Sequence, residues 1–61
     1  MRADYVTTTY GMRGFFAVLI THTEEGYPEP AQTGVGSYPT QEEAEAEALE
    51  WADSEGLEYE P

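Results

Sequence analysis

The chain has 61 residues, no cysteine, and a formal net charge of -11 from 13 Asp and Glu against two Arg. This length fits one domain, residues 1–61, and the absence of cysteine excludes disulfide bonds and thiolate metal sites. Apolar packing or a partner must therefore stabilise it. The longest apolar run, Phe15 to Ile20, is far shorter than the roughly 20 residues of a membrane-spanning helix. Because Met1-Arg2-Ala3 lacks a signal-peptide core, we expect a cytoplasmic protein with no membrane contact.

The acidic residues are concentrated in the later part of the sequence. Residues 1–23 carry Arg2, Arg13 and Asp4, a net charge of +1, whereas residues 24–61 carry the other 12 acids and no base. Such a field repels nucleic acid and attracts basic surfaces, so direct nucleic-acid binding is not expected. An alternative is that the acidity only keeps the chain soluble or reflects a salt-adapted proteome.

The first half of the chain predicts a β-hairpin with a central second strand. Residues 4–10 and 15–22 are rich in β-branched and aromatic residues, and a four-residue connection with glycine at both ends, 11–14, joins them. In the second strand both faces are apolar, with Phe16, Val18 and Ile20 on one face and Phe15, Ala17 and Leu19 on the other. A strand with two apolar faces is typical of a central position.

The middle of the chain predicts a loop followed by a weaker strand. Residues 23–30 contain two prolines, a glycine and three glutamates, which indicate a loop. Residues 31–38 form a stretch with two glycines that we predict to be the third strand, paired with an edge of the hairpin.

The last third predicts one helix over residues 41–55. Thr40 is placed to cap the first backbone donors, with Glu43 reaching back to the cap amide, and Gly56 followed by Leu57 is a typical glycine stop. The helical period puts five residues on the inner side: Ala44, Ala48, Leu49, Trp51 and Ala52. The predicted fold class is therefore α+β, a three-stranded antiparallel sheet with one C-terminal helix on a single face (β-β-β-α), leaving one face open.

The sequence offers little for catalysis, and we predict no catalytic, cofactor-binding or metal-binding residues. His22 is the only candidate base, and no pattern in the sequence places a cysteine or serine near it. The glutamates do not alternate as they do in calcium loops, and Gly34-Val35-Gly36 has no accompanying lysine that would indicate phosphate binding. We therefore expect a binding protein and not an enzyme.

The outer side of the helix is the candidate partner-binding surface. Carboxylates at spacings of three and four along a helix lie about 5 to 6 Å apart, which resembles the phosphate spacing of a nucleic-acid strand. Such a row would compete with DNA or RNA for a basic groove. The predicted partner-binding residues, including an acidic loop and one tyrosine, are Glu42, Glu43, Glu47, Glu50, Asp53, Glu24, Glu25 and Tyr27.

The length, the charge, the strand order and the capped helix start at residues 38–45 resemble the small phage-encoded anti-CRISPR proteins. This resemblance is one of type and carries no shared motif. It implies binding to a type I CRISPR surveillance complex at the basic surface meant for target DNA, through a Cas subunit.

Residues 14–20 and 37–44 are similar in rhythm to the hairpin and the helix entry of HicB-like antitoxins. The loop at 23–30 departs from the Gly-Cys-bearing loop of that family, and no DNA-binding helix pair follows.

The leading hypothesis is an inhibitory protein-binding module, monomeric or dimeric. The alternatives are a HicB-like or other toxin-neutralising domain, and a small acidic oligomerisation domain that uses the open sheet face.

Overall fold

A computed structural model describes residues 4–61, so the start at Met1, Arg2 and Ala3 lies outside the described residues. The elements in chain order are β1 (Tyr5–Gly11), β2 (Gly14–His22), β3 (Pro28–Thr33), α1 (Gln41–Glu55) and β4 (Glu58–Tyr59). They form a four-stranded sheet of order β3-β2-β1-β4 with the helix against β1 and β2. The α+β class is confirmed, but the sheet is mixed and has one strand more than predicted.

The predicted hairpin is present, and its second strand is central in the sheet. β1 and β2 pair antiparallel from Tyr5 opposite Ile20 to Gly11 opposite Gly14, which leaves a two-residue turn. Gly14 has a φ of 114°, and a Cβ at this position would lie 2.5 Å from the backbone oxygen of Tyr38. The close approach matches an isolated bridge between Phe15 and Tyr38, where each amide donates to the other's carbonyl at 2.8 Å. Glycine therefore lets the segment before the helix approach the hairpin turn.

The third strand begins earlier than predicted. Pro28–Thr33 pairs antiparallel with β2, so Pro28 to Pro30 belong to the strand and not to the loop. Beyond the strand, the Gly34 amide donates to the Ala17 carbonyl at 2.8 Å and Tyr38 forms an isolated bridge, but neither contact extends β3. All six residues of β3 are exposed, and the register shifts opposite Leu19 and Ile20. Proline is tolerated on an edge strand because a missing amide donor there costs no ladder bond. The prolines thus mark an edge and do not end the sheet.

The fourth strand was not predicted. Glu58–Tyr59 runs parallel to β1, and the Glu60 amide donates to the Val6 carbonyl at 2.9 Å. Two residues are too short to show a strand period in the sequence. Tyr59 packs against the core, and so the chain end closes the β1 edge.

The helix has the predicted bounds and both predicted caps. The Thr40 hydroxyl accepts from the Glu43 amide at 3.3 Å and donates to the Glu43 carboxylate at 3.0 Å. The Glu43 side chain therefore contacts the hydroxyl of Thr40, whereas the prediction was a contact with the backbone amide of Thr40. Gly56 adopts the left-handed conformation at φ 73°, and the Leu57 amide donates to the Ala52 carbonyl at 2.8 Å. These bonds satisfy backbone groups that a helix otherwise leaves unpaired at its ends.

Small residues form the core between the helix and one face of the sheet. Val6 and Ala17 from the strands and Ala44, Ala48 and Ala52 from the helix are buried, with partly buried side chains packed around them: Leu19, Trp51, Leu57 and Tyr59. Alanine on both sides lets the helix axis approach the sheet closely. Leu49 was expected on this inner side but is 51% exposed, because the buried stripe follows a strict spacing of four at the alanines.

Candidate functional site: an acidic groove beside the helix

A shallow groove of about 500 Å³ runs between the outer side of α1 and the segment that precedes the helix. The helix contributes three carboxylates, Glu43, Glu47 and Glu50, together with Ala46, and the preceding segment contributes Val35 and Tyr38. No basic side chain lines it. We call this feature the acidic groove. Three of the predicted partner-binding residues therefore lie together, whereas the groove's other wall was not foreseen.

Glu47 is held inside the acidic groove by two intramolecular hydrogen bonds. Its Oε2 accepts from the Val35 amide at 3.0 Å, and its Oε1 accepts from the Tyr38 hydroxyl at 2.8 Å. The side chain is half-buried, whereas the helical period had placed it on the solvent side. Hydrogen bonds to a charged acceptor are stronger than neutral ones, so this pair of bonds fixes the segment to the helix.

The segment Gly34-Val35-Gly36 is explained by this contact. A Cβ at Gly34 would lie 2.2 Å from Glu47 Oε2 and 3.3 Å from the Ala17 Cβ, so any side chain there would displace the carboxylate. A Cβ at Gly36 would lie 2.7 Å from the Tyr38 hydroxyl oxygen. The glycines therefore let a backbone amide bind an anion, and that anion is the chain's own Glu47.

The electrostatic field of the groove acts on Tyr38. The hydrogen bond to Glu47 raises the pKa of the Tyr38 hydroxyl above its ordinary value of 10.0, and partial burial adds to this. The negative charges of Glu47, Glu43 and Glu50 raise that pKa further. Deprotonation of Tyr38 is opposed because it would add another negative charge beside three carboxylates.

The other predicted helix residues are exposed along the same helix. Glu42, Glu43, Glu50 and Asp53 all have exposed side chains, and Thr40 is the only hydrogen-bond partner of these four side chains in the described chain. Unlike Glu47, these carboxylates keep most of their capacity to accept bonds from a partner. The outer side of α1 thus combines one fixed carboxylate with several free ones.

The predicted loop residues lie at the other end of the sheet. Glu24, Glu25 and Tyr27 are exposed in the β2–β3 connection, which Thr23 organises by accepting from the Tyr27 amide at 3.1 Å. The acidic groove lies beside the start of β2, where Phe15 bridges to Tyr38. Eight residues of strand separate the two places, roughly 25 Å at about 3.3 Å per residue. The structure does not bring these loop residues into the groove.

His22 lies at the end of β2, next to Asp4 and Tyr5. Its Nδ1 lies 3.5 Å from Asp4 Oδ1, and its ring centroid lies 6.1 Å from that of Tyr5. No group of three His, Asp or Glu side chains within residues 4–61 is arranged to hold a metal ion. The 15-residue α1, the only helix among the described residues, is not long and apolar enough to cross a membrane.

No protein-family model, curated protein or solved structure shows significant similarity to this chain.

Proposed function

We propose that this chain is an inhibitory protein-binding module whose acidic groove docks on a basic surface that another protein uses to bind nucleic acid. The observation that carries the proposal is the set of three carboxylates in one groove with no base among them. Such a surface attracts lysine- and arginine-rich surfaces and repels nucleic acid.

The groove has the shape and the chemistry to accept a long basic side chain. Val35 is fully exposed, so it offers an apolar contact for the methylene stem of a lysine or an arginine. The exposed carboxylates of Glu43 and Glu50 lie on the helix beside it and would pair with the charged end. Arginine would fit best where it can contact a carboxylate through two parallel hydrogen bonds.

The acidic groove is organised before any partner arrives. The helix has hydrogen-bonded caps at both ends, and Glu47 ties the groove's second wall to the helix through Val35 and Tyr38. A surface that is already ordered loses less conformational entropy on binding, so more of its interaction free energy contributes to affinity. Glu47 would thus act by positioning the groove, and Glu43 and Glu50 by contacting the partner.

The class of partner follows from the charge and from the resemblance to anti-CRISPR proteins. A DNA-binding groove in a Cas subunit of a type I CRISPR surveillance complex is the first candidate, with the chain blocking access of target DNA in the host cytoplasm. A basic endoribonuclease toxin would present a comparable surface, and it serves as the competing partner in the experiment.

The test measures binding and DNA competition with a matched pair of variants. Glu43→Gln with Glu50→Gln removes two charges from the groove, and Glu29→Gln with Glu60→Gln removes two exposed charges outside it. We expect the first pair to weaken binding to the surveillance complex more than tenfold and the second pair less than threefold. Adding duplex DNA should displace the chain, and affinity should fall as salt rises from about 50 to 500 mM, because the screening length shortens.

Equal effects of the two pairs of variants would show that overall charge and not the groove determines binding. Binding unaffected by salt and by duplex DNA would contradict the electrostatic mechanism. Binding to the basic toxin but not to the surveillance complex would contradict CRISPR inhibition. The function of the same groove would then be toxin neutralisation.

A further inference from the structure

The sheet face opposite the helix is apolar and has no helix over it, and its central residue Val18 is only 4% exposed among its neighbours. Val6 and Ala17 point into the core beneath α1, so strand alternation turns Phe16, Val18 and Ile20 to the other side. There they line a shallow apolar depression of about 450 Å³ together with open-face threonines and a proline: Thr7, Thr9, Thr33 and Pro30. No helix residue lines it, and we call this surface the open face.

The two ends of the open face carry opposite charges. At one end Arg13, the only Lys or Arg within residues 4–61, lies in the β1–β2 turn and lines a second depression with Phe16 and Thr33. At the other end Asp4 lies 3.5 Å from His22, and Glu58 of β4 pairs with Tyr5. The middle of the face has no charged residue.

This arrangement is complementary to itself. Val18 is the central residue of β2, which runs from Gly14 to His22. If two copies stack antiparallel with a two-fold axis at Val18, Phe16 of each copy faces Ile20 of the other. The same rotation places the Arg13 end of one copy over the Asp4 end of the second, so opposite charges meet at both ends of an isologous interface.

Other surfaces of the chain oppose association of two copies. The helix side carries the acidic groove, so two helix sides would repel each other. The β3 edge has no amide donor at Pro28 or Pro30, and β4 is only two residues long, so neither edge suits pairing with a further strand. In the open-face arrangement the helices would lie roughly 30 Å apart, three layers of about 10 Å, well beyond the screening length of about 8 Å at physiological salt.

We propose that the open face is the interface of a weak antiparallel homodimer, paired through Arg13 of each copy and the Asp4 end of the other. Three strands about 4.8 Å apart and a β2 of about 30 Å give a face of roughly 450 Å² per copy, which is typical of weak or transient association. This proposal is independent of the acidic groove, which remains exposed on both copies.

The experiment is sedimentation of the full chain from about 5 µM to 1 mM at physiological salt, with folding of each variant checked by its circular dichroism melt. The wild-type mass should rise from 6.8 kDa toward twice that value. Asp4→Arg should weaken association at least fivefold although it lowers the net repulsion. The matched control Glu55→Arg makes the same charge change on the helix side and should not weaken association.

The charge exchange gives the decisive comparison. Arg13→Asp, a change in an exposed turn, should also weaken association at least fivefold, and Asp4→Arg combined with Arg13→Asp should restore it to within about twofold of wild type. A wild-type chain that stays monomeric at 1 mM would overturn the proposal. So would a double variant that stays as weak as the single ones, or a Glu55→Arg variant as weak as Asp4→Arg. If Asp4→Arg does not fold, Arg13→Asp and the wild type still decide the outcome.

Discussion

The two faces of the sheet differ in the size of their side chains and in what covers them. On the helix side Val6, Ala17 and Ala48 are fully buried, and the larger side chains that pack against them are only partly buried. On the open face Val18 is 4% exposed, whereas the larger Phe16 and Ile20 are only half-buried. The chain thus stabilises its fold through close packing of small residues and leaves much of its bulky apolar surface available. The closely packed core and the apolar surface that is available for association therefore lie on opposite sides of one sheet.

The largest expected effect comes from enlarging a helix residue in the core between α1 and the sheet. Ala48→Leu would insert three carbons between the helix and the sheet, where overpacking costs about 1 to 3 kcal/mol. The melting temperature should fall by roughly 5 to 20 °C, at about 4 to 8 °C per kcal/mol for a domain of this size. Ala46→Leu, on the exposed side of the same helix, is the control and should stay within about 0.5 kcal/mol of wild type. Equal losses for the two variants would contradict close packing as the source of stability.

The next effect tests whether the helix owes part of its stability to its cap. Thr40→Ala removes the hydroxyl that accepts from the Glu43 amide, and loss of such a cap costs about 1 kcal/mol. Thr40→Asn retains a capping oxygen and should recover most of this free energy in a urea unfolding experiment. If the alanine variant unfolds at the wild-type urea midpoint, the cap contributes nothing to the free energy of unfolding.

Neighbouring threonines on β1 give a matched comparison of the two faces. The Thr8 hydroxyl lies on the helix side and accepts from Gln41 Nε2 at 3.5 Å, whereas Thr7 lies on the open face. Thr8→Val should cost about 0.5 kcal/mol because the hydrogen bond is lost. Thr7→Val should be neutral or slightly stabilising because valine suits a strand. The measurement is urea unfolding at a few micromolar, and a reversed order would show that the faces are assigned wrongly.

Alkaline pH should weaken the helix side through two tyrosines. The hydrogen bond to Glu47 raises the pKa of Tyr38, and burial raises the pKa of Tyr59, so folding favours the protonated phenol in both. Their contribution to stability is complete below pH 10 and is lost as pH rises through the raised values. The melting temperature should therefore fall above pH 10, and Tyr38→Phe with Tyr59→Phe should fall less steeply. An unchanged slope in that double variant would contradict the pKa assignments.

The predicted elements succeeded where a local signal was strong. The helix and its caps were read from Thr40, Glu43 and Gly56, and the hairpin from two β-rich runs with glycines between them. The third strand was displaced because Pro28 and Pro30 indicate a loop locally and become acceptable only at a sheet edge. Strand β4 depends on its neighbour β1, which no short-range pattern reveals.

The candidate site was predicted only in part for a similar reason. Helical spacing brought Glu43, Glu47 and Glu50 to one side, but it could not show that Val35 and Tyr38 return to bind Glu47. That contact depends on the distance between a loop and a helix. Gly34 was the available signal, because a glycine inside a predicted strand often marks close approach of another group.

The most direct test of the acidic groove as the docking surface is a titration of the isotope-labelled chain with a hexa-arginine peptide, followed by amide chemical shifts in NMR. We expect shifts concentrated at Val35, Tyr38 and residues 43–50, reduced in the Glu43→Gln, Glu50→Gln variant and retained in the Glu29→Gln, Glu60→Gln control. Shifts spread evenly over all acidic residues, or concentrated on Phe16, Val18 and Ile20, would contradict this expectation.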